Sequence, residues 1–309
     1  MITTVTLNPM LDKTVYVDSL ERGRIHRASK LEMVAGGKGI NVSRQLKRLG
    51  IKTIATGFLG GEVGSVVQRL LRQEGIDQDF VLTDGMTREG LTYREPNGQF
   101  TAVFEPPVRI AVEHVHELNK KLNMLAVQST WIVCSGSSPG FEADDLYYEA
   151  LVVAHRAGIP SVLDSYGSAF ELALKALPAL VKPNKHEFEI TFGKKLQEEA
   201  DFLDGLHFLL KKGIQYCIIT NGVNPCYAAV QGHYWKITPP VVDAVNPTGS
   251  GDAMIAGILY GFHKGWKFEK SLAFGTATGA ANARRWEIAQ SDLQEIEELE
   301  SRVVLQRLR

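Results

Sequence analysis

Residues 40–75 read INVSRQLKRLGIKTIATGFLGGEVGSVVQRLLRQEG, and the architecture of the chain follows from them. Ile40 to Leu49 has helical apolar spacing and stops at Gly50. Lys52 to Phe58 is a short apolar run, and Val63 to Glu74 is helical again and stops at Gly75. Glycine just past a helix supplies the left-handed residue that closes it. Helix, hidden strand, helix is the repeating unit of a mainly parallel sheet covered on both faces. The same rhythm extends outward in both directions. Ile2 to Leu7 reads as a strand, as do Trp131 to Cys134, Ser161 to Asp164 and Tyr216 to Thr220, and a helix around Asp144 to Arg156 ends at Gly158. The expected fold class is therefore α/β.

Two stretches depart from this rhythm. Thr14 to Val34 and Gly90 to Phe104 alternate with period two, the second around an Asn97-Gly98 hairpin signal. They predict a small accessory sheet, acting as a lid over a pocket or as an oligomer surface; plain surface hairpins are the alternative.

Composition limits the function. Among 309 residues, 34 Lys plus Arg against 35 Asp plus Glu give a net charge of −1. No bulk field draws in nucleic acid or an anionic membrane, so an anionic ligand must be met by a few local cations. No run approaches the roughly 18 apolar residues of a membrane span, and Met1 to Met10 lacks signal-peptide order. A cytoplasmic chain is expected. Cys134, Cys217 and Cys226 are unclustered, which predicts buried thiols and no disulfide or zinc framework.

Three motifs can carry chemistry. Asn246-Pro247-Thr248-Gly249-Ser250-Gly251-Asp252 runs straight into the helical Ala253 to Phe262. Unpaired amides at a helix start form an anion hole suited to phosphate. Asp252 in that first turn could take a proton from an attacking hydroxyl; an ordinary helix cap is the competing reading. Gly36-Gly37-Lys38-Gly39-Ile40-Asn41 permits close approach to a polyhydroxy ligand, with Lys38 as a charge and Asn41 as a donor and acceptor, although alone it could be a turn. It matches neither the Walker A loop nor the Rossmann fingerprint. Lys182-Pro183-Asn184-Lys185-His186-Glu187 offers Asn184 and Glu187 as hard oxygens for magnesium or its waters. A helix N-cap with a capping-box Glu187 reads equally well.

In this order, the motifs resemble the PfkB (ribokinase-like) family of sugar kinases from Thr6 to about Arg285, and most of all its branch of 1-phosphofructokinases and tagatose-6-phosphate kinases. The opening Thr6-Leu7-Asn8-Pro9 with Asp12 and the run Gly36 to Arg44 carry that part of the likeness. The resemblance implies one domain over 1–309, a three-layer α/β/α sandwich whose β-sheet lid comes from insertions at about 12–34 and 88–106. It implies Asp252 as catalytic base with Gly249, Ser250 and Gly251 in the anion hole, and Asp12, Gly37, Lys38, Asn41 and Ser137 on the sugar. Arg88 would hold the phosphate already on the acceptor, with Arg27 as a second cation or else a solvated strand residue. ATP would lie against Lys182, Asn184, Glu187, Thr220, Gly222, Gly279 and Asn282, the last two as wall of the adenine pocket. Mg2+ would sit near Glu187, Asn184 and Asp164 through water. A homodimer through the lid sheet is expected.

Four positions depart from the family pattern: Glu89-Gly90 where an asparagine is usual two residues after Arg88, Ser138-Pro139-Gly140 for L-P-x-G, Pro225 for a glycine, and Glu105-Pro106-Pro107 for a P-G ending. All concern substrate or nucleotide fit, and the catalytic loop is intact. The implied activity is ATP-dependent phosphorylation of fructose 1-phosphate. Tagatose 6-phosphate or fructose 6-phosphate are the near alternatives, and a catalytically silent phosphosugar-binding regulator the distant one.

Overall fold

The computed structural model describes residues 1–140 and 143–308. The first strand, β1 (Ile2–Thr6), is wholly buried. After three residues the chain enters β2 (Met10–Tyr16) and β3 (Lys30–Gly36), then α1 (Lys38–Arg48), β4 (Thr53–Gly60) and α2 (Gly61–Gln73). Short β5 (Asp77–Gln78) and β6 (Val81–Thr83) precede β7 (Arg88–Arg94) and β8 (Phe100–Phe104). Then follow α3 (Val112–Ala126), β9 (Trp131–Ser135), α4 (Leu146–Arg156), β10 (Ser161–Asp164), α5 (Gly167–Ala173), β11 (Leu180–Val181), α6 (Lys185–Phe192), α7 (Glu199–Lys211) and β12 (Tyr216–Ile219). The chain closes with β13 (Cys226–Val230), β14 (His233–Thr238), α8 (Ser250–His263), α9 (Phe268–Ala283), α10 (Leu293–Glu300) and β15 (Val304–Arg307).

Among the described residues the main sheet has eleven strands in the order β15-β14-β13-β12-β11-β10-β9-β1-β4-β5, with β6 also on β4. From β12 to β5 the neighbours are parallel; β13, β14 and β15 add an antiparallel edge. Alternate strand residues feed two cores. Ile132, Cys134, Leu163 and Ile219 pack with the α4 and α7 side, while Val133, Val162 and Ile218 pack with α1, α8 and α9. The result is the expected three-layer α/β/α sandwich. All three cysteines are buried and free.

β3-β2-β7-β8 form a separate four-stranded sheet. The expected continuous alternation over 14–34 is interrupted: the strands occupy only its two ends, and 17–29 is largely exposed irregular chain. Pairing of Asp12 with Val34 and Gly90 puts Asp12, Thr14 and Arg94 on one face; Val15, Leu31, Met33, Leu91 and Val103 share the other. Leu11 and Ala35 anchor the small sheet on Val67 and Leu71 of α2.

Candidate active site

Open parallel sheets leave a crevice beyond the carboxyl ends of their strands, and all the predicted residues but Arg27 lie on the elements around it. β9 ends at Ser135, just before Ser137. β10 ends on Asp164, β11 leads into Lys182 and Asn184, and β12 leads into Thr220 and Gly222. The first turn of α8 opens at the same edge, 4% exposed at Asp252.

Gly249 caps α8 in the left-handed region at φ 78°, where a Cβ would also overlap Ile288 Cγ2. Helical geometry leaves the amides that follow without carbonyl partners from their own helix. The loop is fixed from behind. Asn246 Oδ1 accepts from the Thr248 amide at 3.0 Å, and Asn282 Nδ2 donates to Thr248 O at 2.8 Å and Ser250 Oγ at 3.1 Å. Asn282 Oδ1 accepts from the Ala289 amide at 2.7 Å. Thus the Asn282 amide is committed to holding the loop. Gly279 serves the packing of α9 on α8, since a Cβ there would sit 2.9 Å from Ser250 O.

Asp252 Oδ2 accepts from Asn41 Nδ2 at 2.8 Å. Burial raises the Asp252 pKa from 3.8 to about 7, against the lowering pull of Lys38, of the Asn41 hydrogen bond and of Lys182. Lys38, from the first glycine loop, turns toward the ends of β10 and β11: its Nζ lies 2.6 Å from Glu187 Oε1 and 3.6 Å from Asp164 Oδ2. Burial opposes its charge, but the carboxylates of Asp164, Glu187 and Asp252 hold its pKa above the ordinary lysine range. Lys182 Nζ lies 3.4 Å from Asp164 Oδ1. Burial alone would raise the Asp164 pKa; Lys182 and Lys38 bring it below the ordinary value.

The capping box is real. Asn184 Oδ1 accepts from the Glu187 amide and Glu187 Oε2 from the Asn184 amide, both at 2.8 Å. With Glu187 Oε1 on Lys38, no cluster of three or more metal-ligating side chains occurs among the described residues. Magnesium commonly keeps several waters and binds through substrate phosphates. Asp164 Oδ1, buried beside Lys182 Nζ at 3.4 Å, keeps an acceptor position that suits that indirect role.

On the small sheet, a Cβ at Gly36 would overlap Asp12 Oδ2, and one at Gly90 would come within 2.9 Å of Asp12 Oδ1. The two glycines leave room for the carboxylate. Burial raises the Asp12 pKa to about 6, with Arg44 and Arg88 acting in the other direction. Arg88, half-buried, donates to Asn8 O at 3.2 Å, while its buried Nε has no hydrogen-bond partner. Asn8 Nδ2 donates to Ser137 Oγ at 3.1 Å. Arg27 stands apart, exposed in the irregular 17–29 chain. Sequence reasoning gave no role to Arg44, 4% exposed, which donates to Asn41 Oδ1 at 2.8 Å. Its only sequence signal is the three-residue spacing from Asn41, which places both on one helical face.

The family model described as "pfkB family carbohydrate kinase" matches residues 5–292. The 1-phosphofructokinase of Escherichia coli (strain K12) is 31% identical over 307 residues, covering 99% of this chain and 98% of that protein. A Thermotoga maritima structure, described as a possible 1-phosphofructokinase, superposes with TM-score 0.91 at 28% identity, covering 100% of this chain and 99% of that one. Phosphofructokinase-2 of Escherichia coli in complex with potassium superposes with TM-score 0.91 at 22% identity, covering 97% and 98%, a likeness of fold.

Proposed function

From the premise that the chain belongs to the pfkB family of carbohydrate kinases, we propose that it transfers the γ-phosphoryl group of ATP to the free primary hydroxyl of fructose 1-phosphate, with Asp252 as base. The coarser statement needs no proposal: it is a phosphotransferase of phosphofructokinase type that acts on a sugar alcohol, with ATP as co-substrate. The observation that carries the reading is the 2.8 Å hydrogen bond from Asn41 to Asp252, which brings the acceptor-side glycine loop and the anion-hole helix to one point. Support for the acceptor comes from the Escherichia coli relative and from Arg88 beside Asp12 on the small sheet.

In the proposed reaction, a bond forms between the acceptor oxygen and the γ-phosphorus as the bond to the ADP oxygen breaks, and the hydroxyl proton passes to Asp252. Such transfer depends on positioning and charge neutralisation. The amides after Gly249 would receive the moving phosphoryl, with the buried Lys182, whose Nζ would stand 3.0 Å from a Cβ on Gly251, as the cation beside them and Lys38 next to it on Asp164. Lys182, Asn184, Thr220 and Gly222 line the donor end; Asp12, Asn41, Ser137 and Arg88 line the acceptor end, with Gly37 at the foot of α1. Magnesium, when bound, supplies neutralisation of the triphosphate, and Asp164 and Glu187 would hold its water shell. The small sheet excludes water as a lid on one domain, and its outward apolar face pairs two copies.

ADP release measured over fructose 1-phosphate, tagatose 6-phosphate, fructose 6-phosphate, free hexoses and adenosine tests this, with Asp252→Asn as blank. Fructose 1-phosphate is expected to give the highest kcat/KM. A higher value for another ketose phosphate reassigns the acceptor, and no turnover with any compound leaves the regulator.

A further inference from the structure

The guanidinium of Arg44 lies inside the protein with each of its nitrogens hydrogen-bonded. Its Nε and Nη2 take Glu74 Oε2 at 2.5 Å and Oε1 at 3.0 Å, Nη2 also takes Ala35 O at 2.6 Å, and Nη1 takes Asn41 Oδ1 at 2.8 Å. Asn41 passes the contact on, its Nδ2 donating to Asp252 Oδ2. Four side chains from α1, α8 and the end of α2 thus form one chain, Glu74–Arg44–Asn41–Asp252.

An amide between two polar neighbours can be turned either way. Arg44 has donors only, so it accepts no alternative: Asn41 must present oxygen to Arg44 and nitrogen to Asp252. The bidentate Glu74 carboxylate in turn fixes the fork of Arg44. Were Arg44 absent, a protonated Asp252 could donate to Asn41 Oδ1, and the carboxyl would lose the donor that orients it and favours its charged form. The other charged groups facing Asp252 are Lys38 from α1, Asp164 at the end of β10 and Lys182 after β11, and none of them touches the Asn41 amide.

We propose that Arg44 is a positioning residue for phosphoryl transfer: clamped by Glu74, it locks the Asn41 amide so that a donor always faces the base. This rests on the reading of Asp252 as base. It does not depend on which ketose phosphate is used.

The test is steady-state kinetics with ATP and fructose 1-phosphate, fructose 6-phosphate or tagatose 6-phosphate, the fastest acceptor carrying the series. Arg44→Met, Asn41→Ala and the double variant are compared, with thermal unfolding as the folding control. Arg44→Met is expected to lower kcat about 10- to 100-fold, with KM for ATP within about twofold of the parent. Adding it to Asn41→Ala is expected to change kcat by less than about twofold, because Arg44 acts through that amide. A merely structural arginine would give losses that multiply, and that result overturns the proposal, as does a parental kcat in Arg44→Met. Should Arg44→Met not unfold cooperatively, Arg44→Lys decides: an ammonium cannot span Glu74, Ala35 and Asn41 together, so kcat falls at least about fivefold. Full kcat in a folded Arg44→Lys overturns the proposal. If Asp252→Asn keeps full activity, the base assignment fails and this inference with it. An inactive Asp252→Asn beside a fully active Arg44→Met rejects the inference alone.

Discussion

Lys38 Nζ lies 2.6 Å from Glu187 Oε1, a contact that joins the first glycine loop to a helix 149 residues further along the chain. The lysine therefore sits in the cleft among carboxylates that keep it charged. Lys38→Met is expected to reduce kcat about 10- to 150-fold, the worth of one charge-assisted contact of about 1.5–3 kcal/mol. KM for the phosphosugar should move less than kcat. Stopped-time ADP release at saturating ATP measures both.

Asp252→Asn is expected to reduce kcat by about a hundred- to ten-thousand-fold, the usual worth of a general base, with acceptor KM nearly unchanged. In the parent, kcat/KM should fall about tenfold per pH unit below about 7, where the buried carboxyl takes up its proton.

The same group makes stability depend on pH. Its folded pKa, about 7, stands above the unfolded value of 3.8, so the folded state binds the proton more tightly. Its contribution is fully present below about pH 4 and lost as pH rises through about 7. Asp252→Asn removes the effect. In thermal melts the variant should gain on the parent from pH 4 to 7, by about 1.4 kcal/mol per unit, and hold a constant lead above that. A lead that shrinks with rising pH would contradict the assigned burial.

Arg88→Ala is expected to raise KM for the phosphosugar at least about tenfold and to leave use of free hexoses unchanged. Gly36→Ala should act on the same constant from the other side, by displacing the Asp12 carboxylate that occupies the space beside it. Comparing KM for ketose phosphates and free hexoses separates loss of the phosphate grip from loss of the hydroxyl contact.

Much of this was legible in the sequence, for identifiable reasons. Strands such as Ser161 to Asp164 are hidden on both faces, so their apolar runs announce themselves, and the glycines at 50, 75 and 158 mark helix ends by a backbone requirement. The Asn246 to Asp252 loop is a local motif, and its turn into α8 is readable as such. Lys38 turned out to face Glu187 because strand order decides which loops meet, and strand order is not written in local spacing. Likewise the hold of the Asn282 amide on the loop of Thr248 and Ser250 joins positions 34 and 32 residues apart and has no local signal. The 17–29 segment alternates in composition but is largely exposed and lies beyond the paired ends of β2 and β3, so it has no sheet to join.

The outward face of the small sheet leaves Leu31 53%, Met33 42% and Val103 56% exposed, which a second copy would cover. Sedimentation velocity is expected to show a dimer. A Leu31→Lys, Met33→Lys variant should sediment as a monomer, because each buried ammonium would lack a partner. A monomeric parent would reject the pairing.

Asp12 and Arg88 ride on the small sheet, while Asp252, Lys38 and the donor loops belong to the sandwich beneath. On the proposed reading, the grip on the acceptor's phosphate and the act of transfer are therefore housed in different storeys of the molecule. Exchanging the upper storey between relatives, with Leu11 and Ala35 kept to match their α2 seat, would re-address the enzyme to another ketose without rebuilding its engine.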